Sequence, residues 1–333
     1  MSSINLLARV SALLVVFATV DLDLAMAADP EFKTMVRPGA VELEKEFDLT
    51  GLSIPMDEIH RLLPKDRIPA LTDPETESAK ESAAWLKPQS RLIEVQRNGR
   101  VFGVPLQILD AHEIVNTTLG EEPIAITYCP LCDSAVVFSR RIETTDGKAI
   151  EMAFGTSGAL YNSNVLMYDR THNGLWTQLG MKAVSGPLVG TTLTVLPFKL
   201  KSYEAFLADH PTAPIVSRNT SYQRDYTRTP YASYFYNDRL AVPVKGIGKA
   251  LKKKTRGVGV IDGNEAYFLT TKAIGDDGYT LETSAGTVKL SRSKAGVAVE
   301  SKPDSVLAVQ TLYYSWSAFY PETKVINEQK TEQ

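Results

Sequence analysis

Tyr128-Cys129-Pro130-Leu131-Cys132 is the segment of this sequence most able to do chemistry. Two cysteines separated by two residues bring their sulfurs close enough to bond to each other or to grip one soft metal ion. The loop they close is too short to staple a domain, so global stability is not their purpose. Three readings stay open for the pair: a metal site, a redox-active or labile disulfide, and a structural turn. One cysteine pair is half of a zinc site, and these are the only two cysteines, so other donors must complete a metal shell. His112 is the first candidate. Met167, with Met152 and Met181, adds soft thioethers that suit copper more than zinc.

Other side chains cluster around these motifs. His112-Glu113 could serve as metal ligand and support, as a proton carrier, or as a helix end packed in the core. A hydrolase with this pair as general base lacks an identified nucleophile: Phe154-Gly155-Thr156-Ser157-Gly158 fails the Gly-x-Ser-x-Gly pattern because Ala159 stands where the second glycine belongs. Asp169, Trp176 and Gln178 form a charged group, an indole and an amide within ten positions, either fold-specifying polar structure or part of a ligand pocket. Tyr222 to Tyr236, rich in tyrosine, is a loop that either anchors on the core or meets a sugar or peptide. The competing function is therefore a non-catalytic binding module with a merely structural cysteine turn.

The elements that must position these residues are mostly strands. Arg91–Arg97 and Arg100–Pro105 flank Asn98-Gly99, a strong hairpin signal because both turn residues need positive φ. Alternating segments follow at Pro123–Tyr128, Ser134–Ile142, Ala149–Phe154, Val165–Tyr168, Leu175–Leu179, Val184–Val189 and Thr191–Leu196. Short helices are expected at Ser78–Leu86, Ser202–Ala208 and Ser315–Tyr320, with helical stripes at Val41–Phe47 and Met56–Leu63. Val136, Val137 and Phe138 after the second cysteine favour a strand, which removes the helix dipole that acidifies thiols in thioredoxin-like sites. The pattern argues against β-α-β units and for a mainly β chain with a few short helices, a β-rich α+β class built as a sandwich or partly closed barrel. No repeat of fixed period is visible in the sequence.

Residues 1–27 read as a signal peptide: Arg9, an apolar run from Val10 to Val20, then Ala25, Met26 and Ala27. The run is shorter than the roughly 20 residues a membrane span needs. Residues 28–71 read as an N-terminal strap and 72–325 as one β-rich domain. Export to the periplasm or extracellular space is expected, an oxidising setting in which neighbouring thiols pair. The net charge of −3 over 333 residues offers nothing to nucleic acid. The expected partner is a small molecule or metal ion, with no membrane span after leader removal. The cofactor, if any, is expected to be copper or zinc.

Several motifs in fixed order also resemble those of the exported proteins grouped as the domain-of-unknown-function 3179 family. They are Ile68-Pro69-Ala70-Leu71, His112-Glu113-Ile114-Val115-Asn116, Tyr128 to Cys132, Phe154 to Gly158, Met167-Tyr168-Asp169-Arg170, Trp176-Thr177-Gln178, His210-Pro211 and Pro230-Tyr231. Thr117 stands where that pattern carries Asp. The resemblance implies one domain holding these motifs together and implies no reaction.

Overall fold

Asn98 and Gly99 adopt φ of 49° and 72°, and the two strands they join, Arg91–Arg97 and Arg100–Pro105, pair in register from Leu92↔Pro105 to Arg97↔Arg100. The computed structural model that contains this hairpin describes residues 40–144 and 147–328. The expected leader, residues 1–27, lies outside them. The chain is mainly β, 42% strand and 14% helix. Five sheets of three to five strands form a propeller-like ring, with a separate two-stranded ribbon from Arg141–Glu143 and Ala149–Glu151. The β-rich class with few short helices is what the sequence pattern suggests; a ring of small sheets is the form it takes. No helix among the described residues is long and apolar enough to cross a membrane.

Two of the sheets are copies of one plan. In the first, the hairpin lies between an antiparallel strand, Lys199–Ser202, and a parallel one, Pro214–Val216, joined by the helix Tyr203–Asp209. In the second, the hairpin Arg256–Asp262 and Glu265–Thr270 lies between Leu307–Leu312 and Lys324–Ile326, joined by the helix Tyr313–Phe319. The registers agree pair for pair. Leu92↔Pro105 corresponds to Gly257↔Thr270, Ile93↔Leu200 to Val258↔Gln310, and Gly103↔Ile215 to Phe268↔Val325. One constant offset relates the hairpins and another the return segments. Even the helix ends match: His210 and Tyr320 leave at φ −140° and −128°, each before a proline that cannot extend the helix. The fold thus contains a duplication that no fixed sequence period reveals. The insertions between hairpin and return segment differ, one carrying residues 113–198 and the other the three-stranded sheet of residues 279–301.

The first insertion holds the site. Its strand Glu122–Cys129 pairs with Ile114–Leu119 on one side and Ser134–Ser139 on the other, and is buried on both faces. Alternation then divides its side chains between two cores. Ile124, Ile126 and Tyr128 join Ala135, Val137, Val104 and Ile108 in one cluster. Ala125 and Cys129 join Val136, Phe138, Phe154, Met167 and Trp176 in the other.

Several local expectations need correction. Met56–Glu58 is a short 3-10 turn and Ile59–Arg61 a strand paired with Tyr161–Ala159, because tertiary pairing overrides a weak helical stripe. The expected helix Ser78–Leu86 is a strand, Thr76–Ser78, followed by a 3-10 turn at Glu81–Ala84. Val184–Val189 is irregular, and Thr191–Leu196 makes only isolated bridges at Thr192 and Val195. The expected strand Ala149–Phe154 stops at Glu151, and Phe154 instead opens the strand Phe154–Tyr161, which shifts register between Thr156 and Leu160. The strap is woven in, since Leu71–Thr72 pairs with Val115–Asn116.

Gly259 lies flat beneath the Trp316 indole, and a Cβ there would collide with the ring. Gly259→Ala is expected to cost about 1–3 kcal/mol by overpacking, read as a lower urea midpoint with an unchanged slope.

Candidate functional site: a buried dithiol in a hairpin loop

The loop Pro130-Leu131-Cys132-Asp133 joins strands whose last pair is Cys129↔Ser134. It is a hairpin loop, so neither cysteine caps a helix. Asp133 closes it at φ 50°, a left-handed conformation costly for a residue with a side chain. Its buried carboxylate supplies the compensation. Oδ1 accepts from Arg91 Nη1 at 2.8 Å and from the Tyr128 hydroxyl at 2.9 Å; Oδ2 accepts from Arg256 Nε at 3.0 Å. Burial pushes this carboxyl up, but the two guanidiniums outweigh it and hold Asp133 below the usual carboxylate range. Arg91 and Arg256 occupy corresponding positions in the two duplicated hairpins, facing Ser202 and Leu312 respectively. The loop is therefore clamped on the boundary between the copies. Two of its carbonyls are held by the second copy: Leu131 O accepts from Tyr314 Oη at 3.0 Å, and Cys132 O from Leu312 N at 2.9 Å and Thr311 Oγ1 at 3.2 Å.

Inside this frame the two sulfurs lie 2.9 Å apart, both buried and unbonded to each other. Asn164 Nδ2 reaches Cys132 Sγ at 3.1 Å, and its orientation follows from bookkeeping of protons. Thr127 Oγ1 gives its hydrogen to Val136 O, so it must accept from Gln178 Nε2, at 2.9 Å. Gln178 Oε1 is thereby turned to accept from Asn164 Nδ2 at 2.9 Å and from Ser134 Oγ at 2.7 Å. Asn164 Oδ1 accepts from Leu179 N at 3.0 Å, which leaves its amide hydrogens for Gln178 and the sulfur.

The thiols differ in acidity. Burial raises both, yet at Cys132 hydrogen bonds, from Cys129 first and then Asn164, overcome it and lower that thiol. Burial pushes Cys129 far up, and its bond to Cys132 adds to the effect. Cys132 is the more acidic thiol of the pair and Cys129 the one that holds its proton more tightly. Glu113 lies within their electrostatic reach. Burial first, then the charge on Cys132, raises its carboxyl to about 8, so it is protonated at neutral pH. Glu113 follows the helix Leu106–His112 at φ 57°, and retains part of its surface. Tyr231, Tyr234 and Tyr314 complete the surroundings; Tyr234 and Tyr314 share a hydroxyl contact of 3.2 Å.

His112 is not part of this group. Its Nδ1 faces Pro69 O at 2.6 Å; a carbonyl only accepts, so Nδ1 carries the hydrogen and Nε2 accepts from Tyr226 Oη at 2.7 Å. Burial lowers this imidazole to about 4, with Arg224 adding to the effect. Both ring nitrogens are committed away from the sulfurs. Adjacent residues at the helix end serve different neighbourhoods, and Glu113 is the one the thiols feel. Among the described residues no group of three or more His, Cys, Asp or Glu is placed to hold a metal ion.

The supporting residues separate likewise. Gln178 belongs to the thiol network through Asn164 and Ser134. Tyr128 belongs to the Asp133 clamp. Met167 is buried in the same apolar cluster as the cysteines. Asp169 braces a turn by accepting from Trp176 Nε1 at 3.0 Å and His172 N at 2.6 Å, apart from the sulfurs. In the tyrosine-rich loop, Tyr226, Tyr231 and Tyr234 are buried anchors. Asn164, Ser134, Tyr314 and the Arg91–Asp133–Arg256 clamp escaped the sequence reading. Asp133 adjoins the motif, and that adjacency was the one available hint.

Fold and site together define a propeller-like β protein with a buried, asymmetric dithiol. The model for the family described as protein of unknown function (DUF3179) matches residues 65–303, and the chain belongs to that family. No curated protein and no solved structure matches it.

Asp133→Asn removes the carboxylate that the Arg91 and Arg256 guanidiniums share. A loss of about 3 kcal/mol is expected in denaturant unfolding, at the low end for a buried pair because Arg256 keeps half its surface in water. Glu113 carries a second consequence. Its folded value lies above the ordinary 4.5, so its contribution to stability is complete below that value and is lost as pH rises through about 8. Melting temperatures measured from pH 5 to pH 9 should fall more steeply for the wild type than for Glu113→Gln.

Proposed function

We propose that this protein is a thiol–disulfide redox protein whose Cys129 and Cys132 cycle between dithiol and disulfide. The observation that carries the reading is the pair of sulfurs 2.9 Å apart with opposed acidities. A disulfide needs about 2.05 Å, so closure asks for a small movement within one loop. Two thiolates sharing a tetrahedral ion at about 2.3 Å each would stand about 3.8 Å apart, and the preferred third ligand, His112, is committed elsewhere. Disulfide chemistry therefore fits the donor set better than copper or zinc.

In the oxidative direction the Cys132 thiolate attacks one sulfur of a small disulfide, and the departing thiolate takes the Glu113 proton. Glu113, now a carboxylate, accepts the proton of Cys129, whose sulfur attacks Cys132 and expels the second half of the reagent as a thiolate. The protein loses two electrons and the small disulfide becomes two thiol equivalents. Burial of both sulfurs favours a small reagent over a protein-sized one. The leader-like start of the chain supports a periplasmic or extracellular setting, where oxidation is favoured.

The intact protein is equilibrated in glutathione buffers of graded potential and its free thiols are counted. Both thiols should disappear together in one two-electron transition. Cys129→Ser should accumulate a glutathione adduct on Cys132, and Cys132→Ser should accumulate far less. Two thiols that stay free in oxidised glutathione, or stoichiometric copper or zinc that Cys129→Ser abolishes, would overturn the reading.

A further inference from the structure

A cleft of about 480 Å³ is lined by Asp66, Arg67, Pro69, Ala70, Arg170, Tyr222 and Arg224, of which Pro69 and Tyr222 contact the His112 imidazole. Three guanidiniums face one carboxylate there, in a chain whose overall formal charge is −3. Arg170 is spoken for. It forks onto Asp66, Nη1 to Oδ2 at 3.0 Å and Nη2 to Oδ1 at 2.8 Å, and also donates to Tyr168 Oη at 2.8 Å. No carboxylate pairs with Arg67 or Arg224 among the described residues. Both are exposed, and Arg224 makes a single side-chain bond to its neighbour's carbonyl, Gln223 O.

The walls are built rather than loose. Asp66 sits at φ 55°, held by its carboxylate bonds and by its N–H to Thr156 O at 3.0 Å. Pro69 is fixed by His112 Nδ1–H, and the half-exposed ring of Tyr222 packs on the same imidazole at 5.3 Å between centroids. A second backbone bond, Arg67 N to Pro64 O at 3.1 Å, sets the turn that carries Arg67. Cations without counter-ions, concavity and one aromatic wall are the features that select a small anion.

We propose that this cleft binds a small oxyanion, a carboxylate or phosphate group, through Arg67 and Arg224, with Tyr222 flanking the ligand. The fork of each guanidinium matches two oxygens of either group, and Arg170 with Asp66 forms the rigid floor. The assignment is independent of the thiol chemistry, since none of the lining residues touches a sulfur.

Calorimetric titration of the full-length protein at low ionic strength, with inorganic phosphate and separately with succinate, tests it. One saturable site per chain is expected for at least one probe, weakening with added salt. Phosphate binding alone would assign a phosphate ligand, and succinate binding alone a carboxylate. Arg67→Gln and Arg224→Gln should each weaken binding about tenfold while the circular dichroism spectrum and thiol count stay unchanged. Saturation by neither probe, or wild-type affinity in both variants, would overturn the proposal.

Discussion

Asp133 is the residue on which the architecture converges. A single buried carboxylate accepts from Arg91 of one duplicated hairpin and from Arg256 of the other, while its own backbone turns the loop that presents the cysteines. Electrostatics and geometry are coupled at this point: without the two cations the carboxylate could not be buried charged, and without the carboxylate the left-handed turn would lose its compensation. Joining the two copies and shaping the dithiol loop are thus one interaction seen from two sides.

That arrangement explains how a cysteine is acidified without a helix. In a hairpin loop no macrodipole is available, so Cys132 depends on discrete donors, Cys129 first and then Asn164, which is oriented through Gln178 and Thr127. Such donors act over one bond length and do not reach Cys129 equally. The asymmetry of the pair follows from this short range. Glu113 adds a carboxyl whose proton affinity depends on its burial first and then on the charge of the neighbouring sulfur, because the same low-dielectric surroundings that raise it strengthen its coupling to Cys132.

The duplication also shows how a site can be assembled from unequal parts. Both copies supply an arginine at the same register position, yet only the second supplies the backbone and hydroxyl donors that pin Leu131 and Cys132. The first instead accommodates the insertion that carries the cysteines. Few identical residues survive between the copies beyond the aromatic start of each return helix and the proline after it, and the insertions differ in length. A search for a constant period therefore meets none.

The sequence by itself determined the elements whose cause is local: the Asn98-Gly99 hairpin, the strand after Cys132, the Ser202-capped helix and the prominence of the cysteine pair. It suggested His112 as their partner because the residue type and chain order allowed it. Only the tertiary structure decided which of two adjacent side chains at a helix end meets the sulfurs, and that Arg91, Asp133 and Arg256 belong together. Contacts between residues distant in the chain, 42 positions for Arg91 and Asp133 and 123 for Asp133 and Arg256, depend on how sheets pack, and local propensity carries no record of that packing.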